Sequence, residues 1–399
     1  MKYFTNLTCG AIILALVTAC GGSSTSIPTS SVSNVVVPAS AISTPAPSRR
    51  KLSSVTWTNG QQIPASFGNT NFGASGPLYQ LLPTSPALAS NQSSMQYYDT
   101  GNPVHNLAWI DGDSTQAQYD YSFPVYQSGP NDQTVVIHCA SGGTCADNGV
   151  AIQLPIWARA AGGSDHHLAV LQQNGIEYDF WGVSSNPPYT WFENLTASTE
   201  SKFNSNGTNN GGYYVAPGFE YYAATAGGIG LTAGQVYISE LQSGLIHHAL
   251  NITLPCGNGT YVFPATQISG QCSGGNGVPL GSRVWWQLNH TQTLALGLSW
   301  DMTVILFALH DYGGFYTDSG GGTGVNGSGA GFGIRLENQE PYWIYGNYVD
   351  PVLNWAVSQN WVHVTAPGIN RYMIGTIGGS LDIVDNLKLL NPCVTLKTC

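Results

Sequence analysis

The chain has 399 residues, and only 8% of them are charged: 11 Lys and Arg stand against 21 Asp and Glu, for a net charge of -10. Phosphate backbones need clustered cations, so this balance argues against nucleic acid as a partner. The low charge is not a mark of disorder, because hydrophobic residues reach 42% and include 11 Trp and 21 Tyr, ample for a core.

Met1-Lys2 opens the chain, and an apolar run from Ala11 to Val17 leads into Thr18-Ala19-Cys20 and Gly21-Gly22. A short charged start, an apolar core and a small-residue cleavage site make an export signal. The run is too short to span a bilayer as a helix. A Cys directly after Thr-Ala resembles the lipobox of bacterial lipoproteins, in which the Cys becomes the lipidated first residue. The resemblance implies a signal peptide over residues 1–19 and lipidation at Cys20. It also implies work in the cell envelope, with the membrane engaged through the lipid anchor alone. Gly21 is not the Asp that often retains lipoproteins at the inner membrane, which favours the outer membrane. Residues 20–54 are rich in Ser, Thr, Pro and Ala and read as a flexible spacer. Residues 55–399 are long enough for one large domain.

From Val55 onward, aromatic and β-branched residues alternate with turn residues. Strands are predicted over Gln133–His138, Val150–Trp157, His167–Gln172 and Glu177–Gly182. Asn174-Gly175 between the last two is a hairpin signal. Further strands are predicted over His248–Leu254, Thr260–Pro264, Arg283–Asn289, Phe332–Leu336 and Trp361–Val364. Helical signals are few. Ser239–Gly244 reads as one turn, Ser299–Tyr312 as a helix stopped by Gly313-Gly314, and Asp350–Gln359 as a second helix with Pro351 at its first position. Many short strands with Gly-rich turns predict a mainly β fold, a β-sandwich or jelly roll with one or two short helices.

Cys9 lies in the signal and Cys20 would carry lipid. The other six fall into three close pairs: Cys139 and Cys145, Cys256 and Cys272, Cys393 and Cys399. An even number in an exported chain predicts disulfides, with local pairing the simplest arrangement. The spacings do not suit zinc, no CxxC occurs, and neither HExxH nor an Asp-rich calcium loop is present. No cofactor is expected.

Three clusters combine His or Tyr with carboxylates: Asp165/His166/His167 with Glu177/Asp179, then Glu240/His247/His248, then His310/Asp311/Tyr312 with Asp318. Blocks built on these residues resemble a widespread, uncharacterised group of secreted bacterial proteins. Its Asp-x-His block matches Asp165-His166-His167, and its Tyr-Glu matches Tyr178-Asp179. Its Ile-x-His-Ala matches Ile246-His247-His248-Ala249, its Tyr-Val-Trp-Pro-Ala matches Tyr261 to Ala265, and its Gly-x-Arg matches Gly281-Ser282-Arg283. Tyr312-Gly313 and Asp318-Ser319-Gly320 close the series. Order and rough spacing agree from about residue 150 onward. The departures are Asp179 for Glu, Phe263 for Trp, Thr266 for a basic residue and His310 for Lys or Arg. The resemblance implies a shared fold and carries no established reaction.

Converging His, Tyr and Asp side chains suit general acid–base chemistry. Asp165, His167, His248, Tyr312 and Asp318 are therefore the candidate catalytic residues, expected to share one cleft. Aromatic faces bind sugar rings, so Trp181, Trp191, Tyr221 and the cationic Arg283 are the candidate substrate-binding residues. The function expected is an exported, lipid-anchored protein that cleaves glycosidic bonds of an extracellular polysaccharide, by hydrolysis or by elimination on a uronide. A non-catalytic glycan-binding or adhesion lipoprotein, with structural histidines, is the alternative. A structural envelope protein with no ligand is a third.

Overall fold

The computed structural model describes residues 76–98, 108–111, 123–145, 147–155, 158–161, 165–184, 194–204, 224–268, 272–319, 332–338, 358, 362–366, 369–374 and 383–399. All of them belong to one compact unit, Trp57–Cys399. Cys20, Trp191 and Tyr221 lie outside the described residues, as does all but Ser358 of the helix predicted over 350–359.

The fold is mainly β, as the residue patterns predict, and is built on two sheets. The first sheet draws on β1 (Ala108–Asp111), β8 (Leu250–Leu254), β9 (Arg283–Trp286), β10 (Gly314–Ser319), β11 (Phe332–Arg335), β12 (Val362–Ala366), β13 (Ile369–Ile374) and β14 (Leu387–Leu389). Its order is β12-β13-β1-β11-β8-β10-β9-β14. The second sheet contains β2 (Val125–Gln127), β3 (Gln133–Cys145), β4 (Ala151–Leu154), β5 (Leu168–Leu171), β6 (Ile176–Trp181) and β7 (Asn194–Asn204), in the order β2-β5-β6-β7-β3-β4. Both sheets are mixed: β1 with β11, β8 with β10, β2 with β5 and β3 with β7 run parallel. The helices are short: α1 (Ser93–Gln96), α2 (Ile238–Ser243), α3 (His290–Ala295), α4 (Trp300–Asp311), α5 (Ile383–Asn386) and α6 (Pro392–Leu396).

Local chemistry accounts for the elements that matter here. The β5–β6 hairpin closes at Gly175, whose φ of 80° suits a residue without Cβ. The Ser299 hydroxyl caps α4 by accepting from the Met302 amide, and Gly313 at φ 74° follows its end. Residues 301–309 of α4 are all buried, as befits a helix that is apolar nearly all round. Met302, Val304, Ile305, Leu306, Ala308 and Leu309 pack with Leu250, Ile252, Val284 and Trp286 of the first sheet in one core cluster. The second sheet has its own cluster around Val135, Ile137, Val170, Phe180 and Leu195. Thr260–Pro264 does not form a strand. It contributes only the isolated bridge between Tyr261 and Leu280, because Pro264 has no amide to donate to a ladder.

Residues 224–236 lie between the sheets. The Leu231 amide donates to Asp179 on β6, while Val236 bridges to Leu336 after β11. Gly234, at φ 75°, permits the crossing, since a Cβ there would stand 2.6 Å from both the Ala249 oxygen and the Asn251 nitrogen.

Cys139–Cys145, Cys256–Cys272 and Cys393–Cys399 are all disulfides. Cys256–Cys272 spans 16 residues. Its loop is also tied inward, because the Tyr98 hydroxyl donates to the Cys256 carbonyl. Replacing both cysteines with Ala should lower stability by about 3 kcal/mol, the unfolded-chain entropy such a loop restrains. Urea unfolding of the double variant checks this.

Candidate functional site

The sharpest polar cluster joins the two sheets. His167 immediately precedes β5, Asp318 lies near the end of β10, and Arg335 ends β11. All three are buried, His167 to 2% exposure. His167 Nε2 lies 3.0 Å from the Ala224 carbonyl. A carbonyl only accepts, so Nε2 carries the hydrogen and Nδ1 keeps its lone pair. That Nδ1 is buried and has no hydrogen-bond partner among the described residues. Burial lowers the His167 pKa, against the opposing charges of Asp318 and Asp165, so the ring is neutral. The ring packs edge-on to Phe123, with centroids 4.8 Å apart.

Asp318 Oδ1 accepts from the amides of Ala226 (3.0 Å) and Ser319 (2.9 Å), and Oδ2 pairs with Arg335 Nη2 at 3.3 Å. Burial raises the Asp318 pKa, and Arg335 and His167 pull it back. The Arg335 guanidinium sits over the Phe123 ring, 4.4 Å from its centroid. Asp165, only partly buried, adds its charge to His167 and Asp318. Between Asp165 and His167, His166 holds φ 42°, a left-handed conformation unusual outside Gly. Such outliers concentrate at functional sites.

The other candidates lie elsewhere. β8 and β10 run parallel, with Leu250 beside Gly314 and Thr253 beside Asp318. His248 lies two residues before β8, at the Leu250–Gly314 end of the pair, whereas Asp318 sits beside Thr253 toward the other end. Tyr312, just before β10, is at the His248 end. The single cleft expected for all the candidates is therefore not formed: Asp165, His167 and Asp318 come together, and His248 and Tyr312 do not join them. His248 instead bonds Glu240, with Nε2 to Oε1 at 3.0 Å, and Glu240 also caps the start of α2 through the Tyr237 amide. Tyr312 has its hydroxyl pKa raised to about 12 by burial, with Asp311 adding to the shift, which makes it a poor base.

Arg283 is corrected from a substrate-binding to a structural role. It is 2% exposed, and its guanidinium donates to the carbonyls of Tyr312 and Gln80. It ties the end of α4 to the segment before α1. Trp181, at the end of β6, is 39% exposed and accessible. Glu177 and Asp179 are fully buried. They anchor the connector, Glu177 through the Thr232 hydroxyl at 2.7 Å and Asp179 through the Leu231 amide at 2.6 Å. Burial pushes both carboxyl pKa values up, and Glu177 pushes Asp179 further.

Arg335, Phe123 and the 224–226 backbone escaped the sequence reading. One signal for Arg335 was available. It is a cation inside an apolar strand, in a chain with only 11 Lys and Arg, and a buried charge requires a partner. Among the described residues, no group of three His, Cys, Asp or Glu could hold a metal ion. No family model, curated protein or solved structure matches the chain.

The two buried histidines predict opposite pH responses. Burial alone would lower the His248 pKa, but Glu240's charge and hydrogen bond outweigh it and raise the value above 6.5. Its contribution is thus fully present below pH 6.5 and is lost as pH rises through the folded value. His167 shifts downward, so its contribution is present above pH 6.5 and is lost as pH falls. His248→Gln should flatten the stability profile on the alkaline side and His167→Gln on the acid side. Urea midpoints measured on either side of pH 6.5 check both.

Proposed function

We propose that this chain is an exported, lipid-anchored enzyme of the cell envelope that cleaves glycosidic bonds in an extracellular polysaccharide. The observation that carries the reading is the bare Nδ1 of a neutral His167, oriented from behind by the Ala224 carbonyl and flanked by Asp165 and the Asp318–Arg335 pair. That is the arrangement of a general base. In hydrolysis, Nδ1 takes a proton from water as the water oxygen bonds to the anomeric carbon. The glycosidic C–O bond breaks, and the leaving oxygen takes a proton from solvent. Asp165 supplies negative charge beside the positive charge that develops on the sugar. With both acids ionised, Asp165, Asp318 and Arg335 leave one net negative charge, which suits a neutral glycan better than a polyuronate. Elimination is the competing route. There Nδ1 would take a carbon-bound proton and leave a double bond in the product.

The test incubates the purified protein with neutral and uronate polysaccharides, with and without chelator, and reads new reducing ends together with unsaturated-uronate absorbance. Reducing ends without absorbance are the expected result. Absorbance moves the reading to elimination, and loss with chelator brings in a metal. The second reading is a non-catalytic glycan-binding lipoprotein, favoured by the 2% exposure of His167 beside an accessible Trp181. Binding to a polymer of the panel without any new ends would establish it.

A further inference from the structure

We propose that Glu177 and Asp179 share one buried proton, and that this proton positions His167 by holding the connector, residues 224–236, against β6. The two carboxyls stand two residues apart on β6 and so point to the same face. Both are 0% exposed. They bond to each other and to consecutive residues of the connector, Leu231 and Thr232.

The bonding pattern places the proton on Asp179. Glu177 is met by donors: the Thr232 hydroxyl lies 2.7 Å from both of its oxygens, and the Thr232 amide 3.3 Å from Oε1. Those donors suit a carboxylate. Asp179 Oδ2 accepts from the Leu231 amide at 2.6 Å. Asp179 Oδ1 is buried, and no donor reaches it among the described residues. Buried polar atoms are ordinarily paired. Oδ1 gains a partner when it bears the hydrogen and donates to the Glu177 carboxylate, as a protonated acid can. Burial and the Glu177 charge act in the same direction, raising the Asp179 pKa well above 3.8.

The groups around the pair do not offset a second negative charge. Its cross-strand neighbours are Leu171 and Ala169 on β5, and Phe203 and Ser201 on β7. Glu200 on β7 adds negative charge to Asp179, and Tyr237 after the connector feels Glu177. The β7 cation Lys202 pairs with Asp147. When hydroxide takes the Oδ1 proton, the electron pair stays on Asp179. The bond to Glu177 is lost, and two carboxylates face each other out of water. The connector bears the consequence. Its Leu231–Thr232 end hangs on this pair, while its other end carries the Ala224 carbonyl on His167 and the Ala226 amide on Asp318. Thr225 ties the two ends together, its hydroxyl donating to the Ile229 carbonyl at 2.6 Å and accepting from the Ile229 amide at 2.9 Å. The link to His167 rests on the glycan-cleaving reading, whereas the shared proton does not.

The test is hydrogen exchange at the Leu231 and Thr232 amides of the full chain in detergent, read by mass spectrometry against pH. His167 bonds the far end of the connector and its pKa shifts in the opposite direction, so the Leu231 end is the one to read. A raised acid pKa contributes stability that is fully present below 3.8 and is lost as pH rises to the folded value. Corrected for intrinsic rates, protection in the parent should therefore fall by up to about tenfold per pH unit over that range. Asp179→Asn donates an amide N–H to Glu177 and keeps an oxygen for Leu231, but it has no proton to lose. Glu177→Gln makes the same exchange from the other side. Protection in whichever variant folds should be flat over the range. A flat parent, or an equal slope in parent and folded variant, overturns the shared proton. In the cleavage assay the parent's rate should decline on the alkaline side, and Asp179→Asn should not share that decline. A decline common to both overturns the link to His167. No cleavage of any polymer sinks the glycan reading and leaves the exchange result to judge the proton.

Discussion

Replacing His167 with Gln is expected to lower polysaccharide cleavage by about a hundred- to ten-thousand-fold, the usual worth of a positioned general base. Gln retains an N–H that can reach the Ala224 carbonyl, so the donor side of the ring is preserved. What it removes is the lone pair on Nδ1. The control is His248→Gln. His248 serves Glu240 at the other end of the β8–β10 pair, so its loss should leave cleavage within a few-fold of the parent once stability is matched. Equal losses in the two variants would sink the assignment of the base. The pH profile supplies a second readout. Burial lowers the His167 pKa from 6.5, so the acid limb of the rate profile should fall below pH 6.5 in the parent. An acid limb above that value belongs to another group.

The division between His167 and His248 shows what a sequence can and cannot disclose. The β5–β6 hairpin was legible because Asn174-Gly175 is a local instruction flanked by period-two strands. α4 was legible for the same reason, with a capping Ser299 at one end and Gly313 at the other. Its exposed start was not: Trp300 reads as part of the apolar face yet is 51% exposed. Six cysteines allow 15 connectivities, so spacing left the pairing open, and the structure joins each close pair. The site depends on register between distant strands. Nothing near His248 says that β8 lies parallel to β10, with Thr253 rather than His248 beside Asp318. Arg283 misleads in the same way. A cation next to Gly281-Ser282 reads as a ligand group, but its targets, the carbonyls of Gln80 and Tyr312, lie 203 and 29 residues away in the chain.

Arg335→Met should destabilise the fold by about 3–5 kcal/mol, the cost of removing one partner of a buried ion pair. The side chains of Arg335 and Asp318 are 4% and 12% exposed, so solvent cannot take over the role of the lost guanidinium. Asp318 is held in place whatever its charge, because Oδ1 still accepts from Ala226 and Ser319. The carboxylate must then either stay charged without its cation or take up a proton, and burial already pushes its pKa upward. Adding Asp318→Asn tests this account. Asn keeps an oxygen for the two amides and removes the charge, so the double variant should be more stable than Arg335→Met alone. If the double is instead the weaker of the two, Arg335 acts through packing over Phe123 rather than through charge. Urea unfolding of the parent, both single variants and the double closes the cycle. The same four proteins in the cleavage assay separate stability from chemistry. A loss of activity in the folded double variant, with His167 intact, would place the Asp318 charge itself among the requirements of the reaction.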